Sequence, residues 1–405
     1  MTPTATIIII TYNSAATIGA CLDAVARLEP RGAFELVVLD NASTDDTVAF
    51  VTQRFPAVQL IVESENWGFA GGVNRAVAPT QGAYVLLLNP DAQPEPGWAA
   101  ALIAALDAPG VGVVGSKIVD PNGRIQSVGT LLDEQALLTA HRGGGEADRG
   151  HYDEPADVAA VHGAAIGFSR ALWQQLGGFD EGFFPAYWEE VDFCARARRA
   201  GQRVVVAPAA VVRHTEASAT GKYSAQFYGY YLRNRLRYAA KWRDWDTLWG
   251  QFRPAEHARL ATAPMLDRRV AKVVYDNGVP ELGLPDADAR QRVCQFGTDL
   301  RSGKLPADGY AALARQLAEA AQNSVHAEVE FQSRIGALAS FRRAWNDVAT
   351  RWYVRPNFDQ QTRYNLAVQR ALESFAEQEA SRAAAQALDA ALLAWKLNVE
   401  LKVQN

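Results

Sequence analysis

Acidic side chains standing at the ends of apolar runs are the features of this chain most able to do chemistry. In VVLDNASTDDT, Asp40 closes a β-branched run. At the carboxyl end of a strand in an open α/β sheet, an acid faces the ligand crevice and can accept the imide N–H of uracil or thymine. The plainer reading of the same residues is a helix start, with Ser43 or Thr44 as cap and Asp45 and Asp46 in the first turn. In YVLLLNPDAQPEPGW, a fully apolar strand stops at Asn89-Pro90-Asp91. Asp91 is then a hard oxygen ligand of the kind Mg²⁺ or Mn²⁺ uses together with substrate phosphates; a strand-end turn explains it equally well. In GGFDEGFFPAYWEEVDFCARARR, Glu189, Glu190 and Asp192 open a helix directly after Phe179, Phe183, Phe184, Tyr187 and Trp188. Acids at a helix N-terminus are favoured by the dipole alone. Beside aromatic surfaces that take sugar faces, a carboxylate can also serve as a general base. His214 follows the apolar Val211 and Val212 and is by itself an ordinary structural histidine. It becomes a ligand only if it meets Asp91 across a metal.

A fourth cluster is backbone-permissive. ENWGFAGGVNRA brings Asn66, Gly68, Gly71, Gly72 and Asn74 into one loop that runs into a helix. Such a loop lets main-chain N–H groups approach ribose or phosphate; a glycine turn before a helix is the simpler alternative. No Lys-Ser/Thr follows, so it is not a Walker loop, and its spacing is not the dinucleotide GxGxxG.

These residues need a scaffold of strands and helices. Ile7–Tyr12, Phe34–Asp40, Val58–Val62 and Tyr84–Asn89 have strand length and composition. Ala15–Leu28, Asp45–Phe55 and Ala70–Val77 between them predict helices, and the alternation predicts a mostly parallel sheet covered on both faces. His141–Gly150, rich in glycine and charge, predicts a mobile loop. Val204–Val206 predicts a further strand. From Lys222 the chain becomes rich in Ala, Gln, Arg and Glu, with Pro254, Pro264, Pro280 and Pro285 breaking it into pieces. Tyr364, Val368, Leu372 and Phe375 form one helical stripe and Leu388, Leu392, Trp395 and Val399 another. The expected organisation is a catalytic domain over 1–221 and a mostly helical region over 222–405.

Composition narrows the class. About half of the 405 residues are hydrophobic, enough for a sizeable core, and the net charge of −5 argues against a nucleic-acid partner. The three cysteines, Cys21, Cys194 and Cys294, have neither zinc nor disulfide spacing. No run approaches the roughly 20 apolar residues of a membrane span. TIIIITY has no basic stretch before it and reads as a buried strand rather than a signal peptide. A cytoplasmic location is expected.

Taken in order, the motifs TYN, DNxSxD, NxGFAxGxN, NPDA, GGFDE, an acidic pair before a basic helix, and a histidine resemble family 2 glycosyltransferases of the GT-A fold. The likeness runs over residues 5–245. VVGSKIVDPNGRIQSVGT and FYGYYLRNRLRYAAKW are similar to the branch that holds bacterial rhamnosyltransferases and galactofuranosyltransferases. The resemblance implies a role for each matching position. Thr11, Tyr12, Asn13 and Asp40 would hold base and ribose, and Asn66, Gly68 and Asn74 would lie along the nucleotide, with Asn89 and Asp91 at the diphosphate. Asp91 and His214 would bind a divalent metal, Mg²⁺ or Mn²⁺. Glu190 matches the catalytic base, although an Asp is common at that point in the family, so Glu189 and Asp192 stay as alternatives. Gly178, Phe179, Asp180 and Trp188 would meet the acceptor.

The implied reaction is inverting transfer of a sugar from a dTDP or UDP donor, dTDP-L-rhamnose first and UDP-hexoses or UDP-galactofuranose after it. The acceptor would be a hydroxyl of a glycan or lipid-linked glycan in polysaccharide assembly. A catalytically inactive binding module is the competing reading. A nucleotidyltransferase is disfavoured because TYNSAATIG lacks a basic residue. Residues 222–243 interleave Arg and Lys with aromatics. They predict either peripheral contact with an anionic membrane face or packing of a first C-terminal helix onto the catalytic domain. The later stripes predict a homo-oligomer interface or a dock for a partner enzyme.

Overall fold

The structure, a computed structural model, describes residues 3–29, 34–215, 223–277, 287–302 and 355–404. Its N-terminal half runs β1 (Ala5–Thr11), α1 (Ile18–Val25), β2 (Phe34–Asp40), α2 (Thr47–Arg54), β3 (Gln59–Val62), α3 (Gly68–Val77), β4 (Tyr84–Leu88), β5 (Ala92–Pro94), α4 (Trp98–Leu106) and β6 (Val111–Val119). There follow β7 (Ile125–Ser127), β8 (Thr130–Leu132), β9 (Thr139–His141), β10 (Ala156–Asp157), β11 (Ala165–Ser169), α5 (Arg170–Leu176), α6 (Glu189–Arg199) and β12 (Arg203–His214). The C-terminal region holds α7 (Ala225–Trp242), α8 (Trp245–Thr247), α9 (Arg253–Thr262), α10 (Met265–Asp276), α11 (Ala287–Arg301) and α12 (Arg355–Gln404), with a π-helical turn over Leu248–Phe252.

The main sheet has the order β10-β12-β6-β11-β4-β1-β2-β3. β4, β1, β2 and β3 are parallel. β11 is wedged antiparallel between β4 and β6, and β12 returns parallel to β6. This is the mostly parallel mixed sheet, flanked by helices, of the expected GT-A architecture. β1 reads as an uninterrupted apolar run because both of its faces are covered: Ile7 and Ile9 pack with Cys21, Leu22, Trp98 and Leu102 of α1 and α4. Ile8 points the other way and packs in the core with Val73 and Val77 of α3 and with Phe168.

That second core continues into the C-terminal helices. Leu232, Leu236 and Ala239 of α7 share it with Trp188 and Val191, with Leu260 and Val270, and with Leu388 and Leu392 of α12. The expected boundary at 221/222, together with Lys222, Pro280 and Pro285, lies outside the described residues. Two other expectations change. The segment His141–Gly150 is tied down: Gly145 N–H donates to Ile125 O at 2.8 Å, Ile125 N–H to Glu146 O at 2.9 Å, and Asp148 pairs with Lys117 at 3.0 Å. The second α12 stripe is consumed internally, with Leu388 and Leu392 buried and Trp395 packed beside them. Val368, Leu372 and Phe375 of the first stripe are exposed; the side chains of Tyr364 and Val399 lie outside those described. No helix among the described residues is long and apolar enough to cross a membrane.

Candidate active site

Strand register brings together two residues 123 positions apart. β5 pairs antiparallel with the end of β12 and sets His214 opposite Ala92, next to Asp91. His214 Nε2 lies 3.1 Å from Asp91 Oδ1. Gln126 settles the tautomer. Its Nε2 donates to the His214 carbonyl at 2.7 Å, so its Oε1 is the atom 2.9 Å from His214 Nδ1, and Nδ1 carries the hydrogen. Nε2 then turns a lone pair toward a carboxylate. Two acceptors this close call for a proton or a cation between them, and an imidazole oriented through its other nitrogen is the usual state of a metal-binding histidine. The pair therefore fits a divalent ion that takes one carboxylate, one imidazole and substrate oxygens. Among the described residues no group of three or more His, Cys, Asp or Glu side chains is arranged to hold a metal, so phosphate oxygens would have to complete the set.

Asp91 and His214 open onto a cavity of about 1110 Å³. One end is lined by Thr11, Tyr12, Asn13, Asn41 and Asn89, at the carboxyl ends of β1, β2 and β4, and by Asn66, between β3 and α3, and Gly68, at the start of α3. Thr11 is buried, whereas Tyr12 is 40% exposed and offers a ring to a flat base. Asn13, at a positive φ of 52°, takes the backbone N–H of Thr44 on its Oδ1 at 2.8 Å. Asn66 Oδ1 accepts from Gly68 N at 2.8 Å, and Asn41 bonds both Trp67 N and Gly68 O, at 2.9 and 2.8 Å. Gly68 has φ +69°, and a Cβ there would stand 2.7 Å from Pro185 O. The glycine lets the loop press against the turn that carries the acids.

That turn precedes α6. Tyr187 and Trp188 both take positive φ, 78° and 76°, a costly conformation for bulky residues. It swings Glu189 and Glu190 onto the cavity wall. A helix N-terminus favours ionised carboxylates, yet burial wins at both positions. Burial pushes the Glu190 carboxyl up to about 7. Burial, and then the charge of Glu190, raise Glu189 well above its ordinary value. Glu189 is buried and its Oε2 has no hydrogen-bond partner, whereas Glu190 is partly exposed. In the pair, Glu189 is suited to hold a proton and Glu190 to accept one.

Six expected contacts fall elsewhere. Asp40 is fully buried; its carboxylate accepts from Thr11 Oγ1 at 3.0 Å, Ser43 N at 2.9 Å and Ser43 Oγ at 2.6 Å. It braces the loop beneath the cavity and is not part of its lining. Ser43 is thereby taken from helix capping, and Asp45 serves Thr47 N at 3.0 Å instead. Asn74 clamps the GGFDE turn, accepting from Phe179 N at 2.8 Å and donating to Phe179 O at 2.9 Å. Gly178 packs against that clamp at φ +79°. Phe179 is a core ring stacked on Phe193 with centroids 4.4 Å apart. Asp180 pairs with Arg237 at 3.0 Å and Lys241 at 2.7 Å, which hold its carboxyl low against the opposing effect of burial. Asp192 is fully buried and accepts from Arg196, Lys241 and Trp242 at 2.7, 2.7 and 2.9 Å, so it ties α6 to α7 and is removed as an alternative base. Of the expected acceptor residues only Trp188 lines the cavity.

Other lining residues were given no place in the site by the sequence. His141 and His162 lie beside His214, with ring centroids 4.7 Å (His141–His162) and 5.8 Å (His162–His214) apart. Tyr223, Phe227, Tyr228 and Tyr231 form an aromatic wall at the far end, completed by the α9–α10 corner and α11. Composition marked residues 222–243 as aromatic and basic, but the aromatics could equally have faced a membrane. Four of the cations are committed inward, Arg235 to Glu256 at 2.7 Å, Arg237 and Lys241 to Asp180, and Arg233 to Phe184 O at 3.1 Å, whereas Arg243 pairs with Glu134 at the surface. α7 packs onto the catalytic domain through Leu232, Leu236 and Ala239.

Residues 6–174 match the family model described as glycosyl transferase family 2. The chain is 32% identical over 215 residues to an N-acetylglucosaminyl-diphospho-decaprenol L-rhamnosyltransferase of Mycobacterium tuberculosis, covering 46% of this chain and 68% of that protein. It is 29% identical over 238 residues to an uncharacterized protein of Sinorhizobium fredii, covering 54% of this chain but only 25% of that much longer one. Among solved structures, GalNAc-T7 with UDP, GalNAc and Mn²⁺ aligns at a TM-score of 0.48 and 16% identity, over 60% of this chain and 48% of that one.

Proposed function

Since the chain belongs to glycosyltransferase family 2, we propose that it moves a sugar from a nucleotide-diphosphate donor to a hydroxyl of a glycan or lipid-linked glycan, with inversion. L-Rhamnose from dTDP-L-rhamnose is the donor we favour. The M. tuberculosis relative named as an L-rhamnosyltransferase supports that choice, as does the branch resemblance of the motifs. The observation that carries the reading is that Glu190 and the Asp91–His214 pair line one cavity.

The loop Thr11–Asn13 and the Asn66–Gly68 loop receive the nucleoside. Asp91 and His214 would hold Mg²⁺ or Mn²⁺, which when bound offsets the charge of the departing diphosphate. Glu190 takes the proton of the acceptor hydroxyl on its carboxylate. A carboxyl raised to about 7 is a stronger base than an ordinary glutamate while still half ionised near neutrality. The acceptor oxygen bonds to the anomeric carbon as the bond to the diphosphate oxygen breaks, its electron pair leaving with the diphosphate. Protonated Glu189 keeps a second negative charge away from the base. Tyr187, Trp188, Tyr223 and Phe227 form the wall on which an acceptor sugar would lie. The cavity, at about 1110 Å³, is larger than the roughly 300–1,000 Å³ usual for one small ligand, which leaves room for donor and acceptor together.

A donor screen tests this. Purified chain is offered dTDP-L-rhamnose, UDP-galactofuranose, UDP-hexoses, GDP-sugars and CDP-sugars, and released nucleotide diphosphate is measured with and without a chelator. Release from dTDP-L-rhamnose is expected, lost in chelator and nearly lost in Asp91→Ala. Turnover of only guanosine or cytidine sugars would overturn the donor, full activity in excess chelator the metal, and no turnover of any donor the enzyme.

A further inference from the structure

We infer that Asn234, on the first C-terminal helix, is a positioning residue for the catalytic base. This rests on Glu190 being that base. The turn that delivers Glu189 and Glu190 is strained, with two successive bulky residues at positive φ, Tyr187 at 78° and Trp188 at 76°. Conformations of this kind persist only where the surroundings over-determine them. Here every carbonyl from Phe184 to Tyr187 is held. The Asn234 Nδ2 donates to Ala186 O at 2.9 Å, to Tyr187 O at 3.1 Å and, more weakly, to Phe184 O at 3.4 Å. Pro185 O is taken from the other side by Phe69 N of the donor loop, at 2.7 Å.

The orientation of the Asn234 amide is not free. Carbonyl oxygens only accept, so the nitrogen must face the turn. Arg233 Nη1 donates to Asn234 Oδ1 at 2.8 Å and completes the assignment. Asn234 is fully buried, so removing its side chain takes away, in the interior, the donor that Ala186 O and Tyr187 O share. The turn would then relax toward ordinary φ, and Glu190, four residues beyond Ala186 and three beyond Tyr187, would leave its place on the cavity wall. A misplacement of about an ångström is enough to cost a hundredfold in rate. The asparagine thus makes α7 part of the catalytic apparatus without touching substrate.

Three variants separate positioning from plain stability. Asn234→Asp keeps the shape but sets a carboxylate against three carbonyl oxygens. Asn234→Ala removes the donor. Asn234→Ser restores a single donor and, being small and neutral, serves where the other two do not fold. Trp242→Phe, which loses the bond to Asp192 and part of the ring beside Tyr238, is the control for loosening α7. The readouts are kcat, the donor KM, the pH dependence of kcat/KM and the thermal midpoint. We expect Asn234→Ala and Asn234→Asp to lower kcat at least tenfold with donor KM changed less than threefold and the apparent pKa of the base displaced from that of the wild type. Asn234→Ser is expected to lie between them and the wild type. Trp242→Phe lowers the midpoint but leaves the pH profile in place. Unchanged kcat and pH profile in a folded Asn234 variant, or the same profile shift in Trp242→Phe, overturns the inference. Loss of activity in none of these but also in no Glu190→Gln variant would instead overturn Glu190 as the base.

Discussion

At the residue scale the deciding balance is between a helix N-terminus and burial. The N-terminus of α6 contributes on the order of 0.3–1 kcal/mol toward an ionised carboxylate, and taking that carboxylate out of water opposes it by more. The result is a Glu190 carboxyl near 7. Because the ionised form is the base, activity is expected to rise with pH through about 7 and to fall below it as Glu190 gains its proton. An ordinary glutamate would already be fully ionised there. Glu190→Gln should remove the lower limb of the profile and cut kcat a hundredfold or more while sparing donor binding. Asp192→Asn, two residues on, should do the opposite. It loosens bonds to Arg196, Lys241 and Trp242, so it lowers the thermal midpoint, and the pH profile stays. Reversal of these two phenotypes would place the base at Asp192.

At the scale of elements, two loops and one helix meet at a single short turn. The donor loop touches it through Gly68 and Phe69, and α7 through Arg233 and Asn234. Gly68→Ala tests the first contact. Its φ of +69° costs a residue with a Cβ about 1–2 kcal/mol, and the new Cβ would lie 2.7 Å from a backbone oxygen that cannot retreat without moving the turn. The variant should raise donor KM and lower kcat together, because both loop and base are displaced. Steady-state kinetics with the wild-type donor check this, and an effect on KM alone would mean that the loop and the turn move independently.

At the scale of the molecule, the helical C-terminal region completes the cavity that the sheet begins. α7 crosses behind the acids, and Arg235, buried against Glu256, reaches the carbonyls of Ala136 and Leu137. Despite burial, Arg235 and Arg259 hold the Glu256 carboxyl down to about 2. Because these cations face inward, α7 offers little charge to a lipid surface. Co-sedimentation of the chain with anionic vesicles at low salt should therefore be weak and should not depend on Arg233, Arg237 or Lys241. Strong binding abolished by salt and by substitutions in α7 would restore the membrane-facing alternative.

Several features were determined by the sequence alone, because they depend on neighbours along the chain. Apolar runs of strand length placed β1, β2 and β4, with glycine and acidic clusters at their ends, and Asp91 and the Glu189–Glu190 pair could be singled out from those positions. Element ends shifted by a few residues, as at α1, expected over Ala15–Leu28 and observed over Ile18–Val25, because side-chain bonds such as Asn13 to Thr44 and Asp45 to Thr47 occupy the turns. Only the tertiary structure decided which polar residues face the cavity. Asp40, Asn74, Asp180 and Asp192 have the right types in the right motifs, yet each is bonded inward, in part to a neighbour far away in the chain. His162 bears no motif, and Gln126, Tyr223 and Asn234 lie in stretches that gave them no role of their own; packing brings all four to the site or its supporting turn. A polar side chain in an interior must be satisfied by whatever the fold sets beside it, and that partner is a property of three-dimensional neighbours, which sequence order does not contain.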